Sequence, residues 1–147
     1  MRVLPHLTVA TVVEQNGRFL MVEERPRGAT DVVFNQPAGH VEINESITDA
    51  ALRETLEETG WDVELTDILG IYRYIAPSNG VTYQRICFAA RPLQHHPERA
   101  LDDGIIQTHW LSADELRSMN NLRSVLVLQS IEDFLQGERY PLSLIRN

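Results

Sequence analysis

Gly39–Trp61 reads GHVEINESITDAALRETLEETGW. Within it Glu54, Glu57 and Glu58 stand at i, i+3 and i+4, so a helix carries all three carboxylates on one face. Like charges at that spacing destabilise a helix by roughly 0.2–0.5 kcal/mol per pair. A hard divalent cation, Mg2+ or Mn2+, is the simplest compensation for clustered oxygen donors. The helix is predicted over residues 46–59, with Ser46 and Asp49 resembling a capping box and Gly60 as the stop. Leu52 and Leu56 are expected to face the core. Ile47, Ala50 and Ala51 fall on the carboxylate side, where the alanines leave room for a ligand.

Around this helix the chain alternates strands and turns. His6 to Val13 is β-branched and reads as a buried strand. Gln15-Asn16-Gly17 follows, and Arg18 to Val22 returns as its hairpin partner. Arg25 to Asp31, with Pro26 and Gly28, reads as a loop. Val32-Val33-Phe34 begins a short strand that Pro37 and Gly39 halt. Trp61 to Ile75 and Val81 to Pro92 read as strands joined by the turn Pro77-Ser78-Asn79-Gly80. Ile105 to Leu111 is a last strand, followed by a short helix capped by Ser112 and a second from Leu122 to Leu135, ending at Gly137. Strands linked by hairpins, with a few helices, predict an α/β (α+β) fold with a mixed sheet.

The bulk properties bound the function. A chain of 147 residues with 43% hydrophobic and 23% charged residues is expected to fold as a single domain, residues 1–147. Thirteen basic against twenty-one acidic residues leave a net charge of -8, which repels a phosphate backbone and argues against a nucleic-acid polymer as partner. It does not exclude a small phosphorylated substrate where a metal reverses the local sign. Cys87 is the only cysteine and lies in an apolar run, so it reads as core filler in a reducing cytoplasm. The N-terminus MRVLPHLTV lacks a signal-peptide pattern, and no run is long enough to span a membrane.

The spacing Gly39-x5-Glu45-x7-Arg53-Glu54-Thr55-x-Glu57-Glu58-x-Gly60-Trp61 resembles the Nudix box (residues 39–61) of the Nudix hydrolases. Every charged and glycine position of the box is present. Thr55 departs from it, standing where the family usually has an aliphatic residue, and is expected to loosen local packing. Thr8-Val9-Ala10, Asn35 to His40, Ile75-Ala76-Pro77, Trp110 to Ala113, Asn121 to Ser124 and Gly137 to Leu142 are similar to the NudJ-type phosphatase subfamily. The resemblance covers most of the chain. It implies the Nudix-type α/β/α sandwich and Mg2+-dependent hydrolysis of phosphoanhydrides, in nucleoside di- and triphosphates or thiamine-type pyrophosphates. An ADP-ribose pyrophosphatase is the close alternative, since Pro77 falls sixteen residues beyond Trp61. A nucleotide-sensing module without turnover is the alternative from another class, although such modules tend to have lost box glutamates.

The chemistry assigns Glu54, Glu57 and Glu58 as metal ligands that neutralise an anionic substrate and activate water. The resemblance adds the Gly39 carbonyl as a fourth ligand, and gives Glu45 and Arg53 orienting roles that fix ligand geometry without touching substrate. A carboxylate from outside the box is expected to complete the site; Asp103 is the first choice, with Glu98, Asp102 and Glu115 as alternatives. Gln36, His40, Tyr74 and Arg85 are candidate substrate contacts. Arg85 sits among apolar neighbours and either grips a phosphate or pairs with a core carboxylate. Tyr72, Tyr74 and Tyr83 serve either packing or ring stacking. The vicinal His95-His96 reads as a surface loop, not a zinc site, which needs three or four convergent ligands.

Overall fold

The computed structural model describes residues 1–147. Asn16 and Gly17 both adopt positive φ, 53° and 78°, the backbone twist that a two-residue hairpin requires. They join β1 (His6–Gln15) to β2 (Arg18–Glu24). β1 also runs parallel to β6 (Thr82–His95), with Val9 opposite Ile86 and Thr8 opposite Arg85. The long β5 (Trp61–Ile75) pairs antiparallel with β6. β3 (Val33–Asn35) and β7 (Ile105–Ser112) both pair with β2, giving a mixed seven-stranded sheet in the order β3-β2-β1-β6-β5 with β4 (Ala38–His40) and β7 off that path.

Alternation along β1 and β6 sorts their side chains to two faces. Val9, Ile86 and Phe88 pack with Ile68 against Ala50 and Ala51 of α1 (Ile47–Thr59). Ala10, Val12, Cys87 and Ala89 pack on the opposite face against Leu126, Val127 and Ile131 of α3 (Val125–Gln136). This is the expected α/β/α sandwich. Between β7 and α3 lies the short α2 (Ala113–Arg117), whose Ser112 and Glu115 complete a reciprocal capping box.

Three expectations need correction. Leu52 is 37% exposed and Leu56 only half-buried, whereas Ala50 and Ala51 are buried against the sheet. The helix therefore faces inward along Ala51, Thr55 and Thr59, and its alanines admit close approach of the sheet instead of a ligand. β3 stops at Asn35, before Pro37, as expected, but Gly39 does not end pairing: Ala38–His40 forms a further strand, β4, antiparallel to β1. Thr55 does not loosen the packing, because Thr11 of β1 stands opposite it with the two hydroxyl oxygens 2.8 Å apart. Thr55 donates to the Ala51 carbonyl at 2.8 Å, which leaves its oxygen to accept from Thr11. Both residues are fully buried, so this pairing satisfies hydroxyls that would otherwise be stranded.

Candidate active site

The box helix starts at Ser46, whose hydroxyl accepts from the Asp49 amide at 3.1 Å. It ends at Gly60, where a φ of 74° lets the amide turn back to Leu56 O. These ends fix the register that points Glu54 and Glu58 toward β4. Gly39 of β4 is required there by space: a Cβ at this position would lie within 2.5 Å of every atom of the Glu54 carboxyl group. Glu58 Oε1 accepts from the Ala38 amide at 2.9 Å, one residue away.

Arg53 organises the acidic face. Its Nε and Nη2 grip Glu45 at 2.7 and 3.0 Å, and Nη2 also donates to the His40 carbonyl at 3.0 Å. Nη1 reaches Glu54 at 2.9 Å and Glu57 at 3.1 Å. One guanidinium thus ties the loop before the helix, β4 and two box carboxylates together, a geometry that needs the planar fork of arginine. The same bonds push the Arg53 guanidinium up, Glu45 contributing most, and hold the Glu45 carboxyl below the usual range. Glu45 also accepts from the Glu42 amide at 3.0 Å, securing the loop–helix junction.

The remaining carboxylates are electrostatically strained. Burial pushes the Glu58 carboxyl up to about 8, with the charges of Glu24, Glu54 and Asp102 adding to the effect. Burial likewise raises Glu54, against the lowering influence of Arg53. Oxygen atoms of Glu54, Glu57 and Asp102 all lie within 4.8 Å of one another, the only such group of three acidic or metal-ligating side chains in the protein. An all-carboxylate donor set of this size fits a hard divalent cation, and repulsion among its members is what a cation would relieve.

Asp102 reaches this cluster because its amide donates to Glu57 O at 3.0 Å, latching the loop before β7 onto the box helix. Asp103, the first choice from sequence, is exposed and outside the group. Glu115 is used in the α2 cap and pairs with Arg18 at 3.0 Å, and Glu98 lies 3.9 Å from His96; neither joins the cluster. His95 stacks on Trp61, and His96 is bonded to Asp62 at 2.6 Å.

A cavity of about 600 Å³ opens beside Glu54 and Glu58 on the α3 face of the sheet. Thr8, Arg85, Tyr74 and Tyr83 line it from the sheet, Gly39 and His40 from β4, and Arg123, Ser124 and Leu126 from the start of α3. Of the expected substrate contacts, His40, Tyr74 and Arg85 thus face the cavity. Gln36 does not: it is 0% exposed, donating to the Val127 carbonyl at 2.7 Å and accepting from Arg85 Nη2 at 3.1 Å. Arg85 has no core carboxylate, contrary to one of its two readings. Tyr72 is buried and bonded to Asp133 at 2.6 Å, so it serves the core.

Two residues escaped the site assignment from sequence: Arg123, which lines the cavity, and Glu24, which pairs with it. Glu24 is 6% exposed, ion-paired with Arg123, and near enough to Glu58 to repel it. A signal was present: Leu20, Val22 and Glu24 alternate along β2, placing a charge on a buried face.

The NUDIX domain model matches residues 4–129. The chain is 41% identical over 141 residues to Phosphatase NudJ of Escherichia coli strain K12, covering 96% of this chain and 90% of that protein. It is similar to a solved NUDIX hydrolase from Nitrosomonas europaea, with 46% identity, a TM-score of 0.95, and coverage of 98% and 97% of the two chains. An ADP-ribose pyrophosphatase from Streptococcus suis shares the fold at 19% identity and a TM-score of 0.69, over 93% and 96% of the chains. The chain belongs to the Nudix family and is a hydrolase of phosphoanhydrides that uses a divalent metal ion.

Proposed function

We propose that this enzyme cleaves small nucleoside di- or triphosphates or thiamine-type pyrophosphates with Mg2+, in a reducing cytoplasm and without a nucleic-acid partner. The observation that carries the reading is the convergence of Glu54, Glu57 and Asp102, of which Glu54, together with Glu58, lines the cavity. The similarity to Phosphatase NudJ over nearly the whole chain supports a phosphatase activity.

Glu54, Glu57, Glu58 and Asp102 would hold the cation, with the Gly39 carbonyl beside them; Asp102 takes the place given to Asp103 by sequence. When bound, a divalent cation neutralises phosphoryl oxygens and acidifies water. The chain supplies the rest. Arg53 fixes the Glu54 and Glu57 carboxylates while staying out of the cavity lining, and Glu45 fixes Arg53. Tyr74, Tyr83 and His40 form an aromatic edge for the organic part of the substrate.

Phosphate and pyrophosphate release should be measured on nucleoside di- and triphosphates, thiamine pyrophosphate and ADP-ribose, with Mg2+ and with chelator. Turnover of the first three groups, abolished by chelator, is expected. Turnover confined to ADP-ribose would overturn the substrate class, and chelator-resistant turnover would overturn the metal assignment.

A further inference from the structure

Arg85 is only 6% exposed, yet no carboxylate lies within ion-pairing distance of it. Gln36 accepts from Nη2, and Nε is buried with no partner. Stranding a desolvated guanidinium N–H in this way is costly, and selection for stability alone would remove it. The position is also cationic beyond Arg85 itself. Arg123, although ion-paired with Glu24, lines the same cavity and is close enough to repel it. Ser124 caps α3, a twelve-residue helix, so the positive end of its dipole adds to the same wall. Glu58 lies within electrostatic reach, but its carboxyl is bonded to the Ala38 amide and forms no ion pair with Arg85. Asn35 lines the same wall, and its Oδ1 is likewise buried without a partner. A half-turn of that amide presents its NH2 donors instead.

We propose that Arg85, Arg123 and the first turn of α3 form an anion subsite that takes a terminal phosphate group of the substrate. The inference rests on the phosphoanhydride reading above and adds the orientation of the substrate in the cavity. A terminal group is specified because Gln36 closes the space behind Arg85, so a ligand ends there. The exposed or half-buried His40, Tyr74, Ser78, Asn79 and Tyr83 edge the open side, where the organic part leaves the cavity.

The test uses the whole protein and inorganic phosphate, which is not turned over, in chelator and again with Mg2+, so its outcome is separate from that of the hydrolysis assay. Inorganic phosphate is titrated while the arginine Nε–H resonances are followed by 15N-correlated NMR, Arg85 being assigned by its loss in Arg85→Lys. The Arg85 resonance is expected to shift saturably, and Arg85→Gln to weaken phosphate binding at least about tenfold. A resonance that stays fixed at saturating phosphate overturns the proposal in the wild-type protein, whether or not the variant folds. So does an unchanged affinity in a folded Arg85→Gln. With any substrate that is turned over, phosphate should inhibit competitively; noncompetitive inhibition would place the anion in a separate regulatory role and overturn the assignment to substrate. A purely structural Arg85 would also lower Tm when replaced by Gln, whereas the subsite predicts a Tm that holds or rises.

Discussion

Replacing Gly39 with alanine adds one methyl group where β4 meets the box helix. The new carbon would lie within 2.5 Å of all three atoms of the Glu54 carboxyl group, whereas ordinary contact begins at 3.4 Å. The carboxylate must therefore retreat by about 1 Å, enough to cost roughly 100-fold in rate when it displaces a group from working geometry. Gly39 does not have positive φ, so the backbone accepts alanine and the damage is confined to the side chain it strikes. Glu54 also loses its 2.9 Å bond from Arg53, a charge-assisted contact worth about 1.5–3 kcal/mol. Part of that loss is recovered, because the same Arg53 nitrogen still reaches Glu57. The expected signature is a kcat/KM lowered about 100-fold alongside a modest loss of stability. Steady-state hydrolysis at saturating Mg2+ and thermal unfolding, measured on the same preparation, separate the two effects. Activity within about threefold of wild type would refute the claim that Glu54 must occupy this position.

Other consequences follow from single contacts. Thr55→Val strands the Thr11 hydroxyl and should destabilise by about 1–3 kcal/mol, while the double variant Thr11→Val/Thr55→Val should recover most of that loss in denaturant unfolding. Arg53→Lys removes the fork that joins Glu45, Glu54 and Glu57. It should lower kcat/KM by about 10–100-fold and raise the Mg2+ needed for half-maximal rate, which a metal titration of activity reads. Asp102→Asn should weaken metal-supported turnover at least about tenfold and Asp103→Asn by less than about twofold, a comparison that isolates the carboxylate outside the box.

The box was legible because its chemistry depends on local spacing. Ser46, the glutamates and Gly60 act through helix geometry, which a sequence displays directly. Long strands were legible for the same reason, and β5 spans the residues its pattern outlines. What failed depended on partners distant in sequence. Leu52 looked like the core position of the box helix, but the helix is rotated so that small Ala51 and Thr55 approach β1, and only knowledge of Thr11 makes a buried threonine reasonable there. Asp102 and Asp103 are neighbours of identical charge, so their difference lies wholly in the turn that bonds one amide to Glu57 O. Gln36 looked polar enough to meet substrate; its amide is instead consumed by α3 and Arg85, ninety-one and forty-nine residues away.

Hydrolysis rests on carboxylates that work through a divalent cation. The most direct test of this is the rate of phosphoanhydride cleavage as a function of free Mg2+, in the wild-type enzyme and in Glu58→Gln. A saturable dependence that falls to background in chelator is predicted, with the variant slower by at least about 100-fold at every Mg2+ concentration. Cleavage that persists in chelator, or a variant that matches the wild type, would contradict it.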